Sequence, residues 1–164
     1  MKTVWLPAMM FFLMAGAAFS VDEPKLKEGL WSIHTESIDQ PGNKKTTSDR
    51  SLCRSHEYDA RIEQMGKDAA AKCKTIHEST SGGKRDAELE CTVAGTVIHT
   101  KAATTLTGDT AAHSETHTTY TPPVAGMAEA AMIMDQKYVG ACPAGMDPGD
   151  SMSADGKIVK GRKR

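Results

Sequence analysis

Cys73 and Cys91 stand nine residues to either side of Gly82, inside the stretch Ser81-Gly82-Gly83-Lys84. Two glycines flanked by polar and β-branched residues are a hairpin signal. A hairpin centred on Gly82 sets the two cysteines opposite each other, close enough for a disulfide. A two-residue Gly82-Gly83 turn would instead place Thr92 opposite Cys73, and a bulge would be needed to restore the pairing. Either way the spacing predicts an antiparallel sheet. With Cys73 and Cys91 joined, Cys53 and Cys142 remain as the second pair of the four cysteines. By chain entropy the longer loop contributes roughly 4–5 kcal/mol and the shorter about 3 kcal/mol.

Reading the cysteines as disulfides requires an oxidising compartment. Residues 1–20 supply that expectation. Lys2 precedes an apolar run from Val4 to Ala18, and Ala18-Phe19-Ser20 offers small residues before Val21. This is the pattern of a secretory signal peptide cut after Ser20. The run is short for a membrane span, no charged stop-transfer flank follows it, and no cysteine follows that could carry a lipid. An exported protein is expected, in the periplasm or the extracellular space, with no transmembrane segment in the mature chain.

Removing residues 1–20 takes one of the 20 basic residues and none of the 21 acidic ones, which leaves a net charge of −2. Near-neutral charge and export argue against nucleic acid as a partner. The same cut removes all three phenylalanines, so Trp31, Tyr58, Tyr120 and Tyr138 are the remaining aromatics. The core must then rest on aliphatics, Met and Ala, and the disulfides gain weight.

The organisation follows from periodicity. Leu30 to Ile38 alternates as a half-buried strand, with Trp31 and Ile33 on one side. Gln40-Pro41-Gly42-Asn43 is a turn, and Thr46 to Cys53 returns. Ser55 is a good N-cap, with Glu57 and Asp59 in the first turn. Tyr58, Ile62, Met65 and Ala69 share one face of a helix reaching about Lys72. Beyond Cys73 lie further strands, with a turn at Thr107-Gly108-Asp109-Thr110 and a stop at Pro122-Pro123. Ala128 to Val139 is ambiguous between helix and strand. From Pro143 the chain carries Gly, Pro and a basic end (Lys157, Lys160, Arg162, Lys163, Arg164) and reads as an irregular or disordered tail. The expected domains are a signal peptide over 1–20, one β-rich domain over 21–142 and the tail over 143–164.

Several landmarks in order resemble the bacterial exported family catalogued as domain of unknown function 3617. They are Gly29-Leu30-Trp31, Cys53 before a helix, Cys73 after it, Cys91 on a hairpin, Gly108-Asp109 at a turn, and Tyr138-Val139-Gly140-Ala141-Cys142. The likeness covers roughly residues 26–142, with departures at Leu106 and Ala111, where the family favours aromatics. It implies an antiparallel β-rich envelope domain and carries no activity. It also reads residues 128–139 as a strand, since strand pairing overrides a weak helix propensity. The fold class expected is mainly β (α+β), a curved antiparallel meander of about seven strands with one inserted helix, stapled by Cys73–Cys91 and Cys53–Cys142.

His113-Ser114-Glu115-Thr116-His117 is the one cluster suited to chemistry. Residues two apart on a strand face the same way, so His113, Glu115 and His117 line up on one face. These are ligand types for zinc, copper or nickel. A Gly108-Asp109 turn would set Thr104, Ala102 and Thr100 opposite them. A turn centred on Gly108 would set Ala103, Lys101 and His99 there, with a Lys101–Glu115 ion pair. The plainer reading is a solvated polar face. Met127, Met132 and Met134 fit a core better than a copper site, Trp31 fits a core anchor, and His34, His56 and His77 fit the surface. No G-x-S-x-G, H-E-x-x-H or P-loop is present, so an enzyme is not expected and no cofactor is implied. The expected function is non-enzymatic binding of a small ligand or envelope partner, or a structural role. The alternative is a periplasmic metal-binding protein using the His113, Glu115, His117 face.

Overall fold

Trp31 and Ile33, fully buried on β1 (Gly29–Gln40), mark the centre of the core. The computed structural model describes residues 25–161; the expected signal peptide over 1–20 lies outside them. β1 returns as β2 (Lys44–Arg54), and α1 (His56–Ala70) follows. Five strands then run in sequence: β3 (Lys74–Ser81), β4 (Lys84–Val93), β5 (Thr96–Thr107), β6 (Ala111–Val124) and β7 (Met127–Gly140). β7 comes back against β1, so the sheet order is β3-β4-β5-β6-β7-β1-β2, extended at the β2 edge by β8 (Ser151–Ser153) and β9 (Ile158–Val159). All neighbouring pairs are antiparallel.

Both expected disulfides are present. Cys73 and Cys91 lie 4.4 Å apart and Cys53 and Cys142 5.6 Å apart, Cα to Cα. The β3–β4 register takes the second of the two sequence alternatives. Ser81 pairs with Lys84 around a Gly82-Gly83 turn, and a bulge between Thr75 and His77 shifts the ladder by one residue. Gly82 and Gly83 have φ of 58° and 77°, the left-handed conformation that a tight two-residue hairpin requires. The bulge absorbs the offset, and Cys73 meets Cys91.

Residues 127–140 form a strand, as the family likeness implied. Pro122 and Pro123 do not end β6, which continues to Val124. Pairing with β5 ends at Thr121, and pairing with β7 is interrupted between Thr119 and Val124. The prolines therefore occupy positions where no ladder N–H is needed.

One expectation is refined and one corrected. The described segment after Cys142 is largely irregular, and two short strands join it to the sheet: β8 pairs with β2 through Leu52↔Ser151, β9 pairs with β8, and Met146 and Asp150 are buried. Helix α1 starts as expected, with the Ser55 hydroxyl accepting from the Tyr58 N–H at 3.1 Å, but its apolar stripe forms no core. None of its residues is buried, and Ile62 and Met65 are exposed.

The core sits instead at one end of one sheet face. Trp31 Nε1 donates to the Lys27 carbonyl at 2.8 Å. The Tyr138 ring meets the indole edge-on with centroids 6.1 Å apart, and the Arg54 guanidinium lies 4.9 Å from the Trp31 ring centroid.

Candidate functional site

Strand alternation divides the side chains of β5, β6 and β7 into two faces of opposite character. Every charged residue and histidine on the paired stretches carries an odd number: His99 and Lys101 on β5, His113, Glu115 and His117 on β6, and Glu129, Asp135 and Lys137 on β7. The registers Lys101↔His117↔Ala131 and Ala103↔Glu115↔Ile133 put these odd positions together on one face, which is the more exposed.

On this outer face the histidines are paired with carboxylates. His113 Nδ1 lies 2.7 Å from Asp135 Oδ1, and its Nε2 lies 3.2 Å from Glu115. Asp135 and then Glu115 raise the His113 pKa above the ordinary imidazole value. His34 is held the same way, 2.7 Å from Asp49 and close to Glu36, and its pKa is also raised, Asp49 being the main cause. His117 Nε2 is 3.2 Å from Glu129, and His99 Nε2 is 2.7 Å from Glu88. Burial opposes ionisation of Glu88, yet His99 and Lys101 together hold its carboxyl below the ordinary value. Two shallow cavities of about 440 Å³ each lie between cross-strand rows of this face. One is walled by Glu88, Lys101 and His117 against Asp86, Glu115 and Ile133; the other includes His34, His113 and Asp135.

The three residues proposed as metal ligands are therefore neighbours without a common focus. His113 and Glu115 contact each other, whereas His117 turns to Glu129. Among the described residues no group of three or more His, Cys, Asp or Glu side chains is arranged to hold a metal ion. Side chains from a single strand project in parallel, and a tetrahedral site needs convergence. The β5–β6 register also differs from both alternatives read from the sequence. His113 faces Thr105, Glu115 faces Ala103 and His117 faces Lys101, because the loop holds three residues, Gly108 to Thr110. Lys101 consequently lies 3.5 Å from Glu88 instead of reaching Glu115. His56 and His77 are exposed, as expected of surface residues.

The even-numbered face is the inner one. From Ile98 to Leu106, Ala112 to Tyr120 and Ala130 to Tyr138 its positions hold no charged residue and no histidine. Ala112 is buried and the others are half-buried. Two cross-strand hydroxyl pairs lie on it: Thr104 with Ser114 at 3.0 Å, and Thr100 with Thr118 at 3.3 Å. Among the described residues no buried side-chain nitrogen or oxygen lacks a partner. Reading the sequence segment by segment missed this face. The signal was present as parity, with charge confined to odd positions on three successive strands.

The family described as Protein of unknown function (DUF3617) matches residues 26–142. The chain belongs to that family. No curated protein and no solved structure matches it. The DUF3617 stretch contains both disulfides, the Trp31 core and both sheet faces. It ends at Cys142, so β8, β9 and the buried Asp150 lie beyond it. No helix among the described residues is long and apolar enough to cross a membrane.

Proposed function

We propose that this DUF3617 protein is an exported, non-enzymatic binding protein of the cell envelope, with the inner face of β5–β7 as its ligand surface. The supporting observation is that this face is half-buried and free of charge on β5–β7, while the one helix of the described chain buries no residue against it. A domain of this size ordinarily closes such a face with packed side chains. On this face full burial is confined to Ala112 and, on the neighbouring β1, to Gly29, Trp31 and Ile33, all at one end. Two disulfides suit the oxidising periplasm. The outer face has a different role in this reading. Its histidines and carboxylates neutralise one another and keep that side solvated.

The test uses purified mature protein and the fluorescent hydrophobic dye anilinonaphthalene sulfonate. Saturable binding is expected for the wild type. It should be lost in Met132→Asp, whose side chain is on the inner face, and retained in Ile133→Asp, one residue along on the outer face. Equal binding by both variants would refute the assignment.

A further inference from the structure

The two ends of the sheet are closed by hairpin turns of opposite character. At the end that holds Trp31 the turns are polar: Ser81-Gly82-Gly83-Lys84 joins β3 to β4, and Thr107-Gly108-Asp109-Thr110 joins β5 to β6. At the far end Val93-Ala94-Gly95-Thr96 joins β4 to β5, and Val124-Ala125-Gly126-Met127 joins β6 to β7. These two hairpins are neighbours in the sheet, their centres about 10 Å apart. No charged residue lies within residues 91–98 or 118–128. Val93, Val97 and Val124 are exposed.

The backbone of both apolar turns is strained in the same way. Ala94 has φ of 49° and Ala125 of 51°, each followed by a glycine at 84°. Asn, Asp and Gly are the residues this turn favours at its first position, and alanine meets a steric penalty there. Both hairpins thus forgo a polar turn residue. The apolar character also extends to both sides of the sheet. Val93, two along from Cys91, lies on the inner side, and Val97 lies on the outer side. Val93 pairs with Thr96 and Val124 with Met127, so the ladder reaches the turn in each hairpin. The charges behind the tips come mostly in opposed pairs: Glu90 faces Lys74, Asp39 faces Lys44, and Glu129 contacts His117. From the row that links Glu90, His99, Thr119 and Glu129, the turns project about 10–13 Å at strand rise.

We propose that the β4–β5 and β6–β7 hairpin tips insert together into one leaflet of a lipid bilayer. Tips that are uncharged on both sides, with the ladder closed up to the turn, suit a medium that offers no hydrogen bonds. Pro122 and Pro123 bring no N–H groups to it. Protein interfaces are held by aromatic or arginine anchors seated in pockets. Residues 91–97 and 121–128 contain neither, and neither outer-face cavity includes a tip residue. Tyr120 stands behind the β6 tip, opposite Ile98, at the level where a bilayer interface favours tyrosine. The projection is well short of the roughly 30 Å hydrocarbon core, so the tips anchor and do not span. With the charges behind them opposed, apolar insertion supplies the attraction, and anionic headgroups are not required. None of this rests on the inner face being a ligand surface, whose charge-free stretches begin or end at Ile98, Tyr120 and Ala130.

The experiment is flotation of the purified mature protein with vesicles of phosphatidylcholine alone, and of phosphatidylcholine mixed with phosphatidylglycerol. Binding to both is expected, and high salt should not weaken it. In hydrogen exchange, vesicles should slow the amides of residues 92–97 and 121–128 and leave those of 81–84 and 107–110 unchanged. Val93→Asp and Val124→Asp should each weaken binding by at least about tenfold, while Thr107→Asp at the polar end should not. The double variant Ala94→Asn/Ala125→Asn keeps folding out of the question, because it supplies the favoured turn residue. It should resist urea at least as well as the wild type yet bind vesicles at least about fivefold more weakly. No binding to either vesicle would overturn the proposal. So would binding that needs phosphatidylglycerol and is lost in high salt, which is adsorption by charge. Undiminished binding by the Val93, Val124 and double variants, or equal protection of the polar turns, would overturn it as well.

Discussion

Asp150 Oδ2 accepts from Lys160 Nζ at 2.8 Å, and the same carboxylate closes two backbone N–H groups, those of Asp147 at 2.7 Å and Gly161 at 2.8 Å. Asp150 is almost fully buried, and its backbone carbonyl receives the Cys53 N–H at 3.0 Å. One carboxylate thus gathers the segment beyond the family stretch and fixes it to β2, beside the Cys53–Cys142 disulfide.

The first prediction follows from that charge. Lys160, then the N–H groups of Asp147 and Gly161, hold the Asp150 pKa at about 2, below its ordinary 3.8. A depressed carboxylate pKa stabilises the fold above the unfolded value and loses that contribution as pH falls through the folded one. The tail should therefore stay docked at neutral pH and loosen between about pH 4 and pH 2. Asp150→Asn should loosen it at neutral pH, because the amide replaces a charge acceptor with a neutral one. Limited proteolysis after Cys142, read by mass spectrometry, checks this. A tail equally resistant in the variant and the wild type would contradict it.

The histidines of the outer face give the opposite sign. Asp135, followed by Glu115, raises the His113 pKa above 6.5. A raised imidazole pKa stabilises below the unfolded value and loses that contribution as pH rises through the folded one. His113 should titrate above 6.5 by NMR, and Asp135→Asn should bring it down. Because these groups are exposed, salt should shrink the shift. A His113 titration unmoved by Asp135→Asn would refute the pairing.

Several features were legible because they are local or symmetric. The equal spacing of Cys73 and Cys91 about Gly82 announced the hairpin and its disulfide. Ser55 announced the helix start, and Trp31 with Ile33 announced the buried side of β1. What was not legible depends on partners far along the chain. Nothing near Asp150 in sequence says that Lys160 returns to it, so the tail read as irregular. The Tyr58, Ile62, Met65, Ala69 stripe implied a packed helix, since periodicity reports amphipathicity and not what lies opposite. The β5–β6 loop could close with different numbers of residues, and only pairing along the whole ladder selects three. That choice placed Lys101 opposite His117 and left the His113, Glu115, His117 row without a focus.

The two disulfides should contribute unequally. Cys53–Cys142 closes a separation of 89 residues and Cys73–Cys91 one of 18. Chain entropy assigns about 4–5 kcal/mol to the first and about 3 kcal/mol to the second. The Cys53→Ala/Cys142→Ala variant should lose more stability to urea than Cys73→Ala/Cys91→Ala, and should also free the tail. The shorter bridge has a separate effect, because it ties the end of α1 to β4. Its removal should speed hydrogen exchange in α1 more than in β1. Equal exchange in both elements would argue against that tether.

Gly29 supplies the sharpest test of the core geometry. Its φ is +136°, a conformation that side chains rarely adopt. A Cβ there would run into the Gly140 carbonyl oxygen and come within 2.8 Å of the Tyr138 ring, which stacks edge-on against Trp31. Gly140 has a similar φ of +144°, but a Cβ on it would meet nothing within 4 Å. Gly140→Ala should therefore cost backbone strain alone, about 1–3 kcal/mol. Gly29→Ala should cost that strain plus a displacement of β7 from β1, about 1–3 kcal/mol more. Urea unfolding measures the difference, and near-ultraviolet dichroism should show the Trp31 signal changed only in the Gly29 variant. Equal losses in the two variants would mean that β7 gives way freely and that the Trp31–Tyr138 contact is not a rigid part of the core.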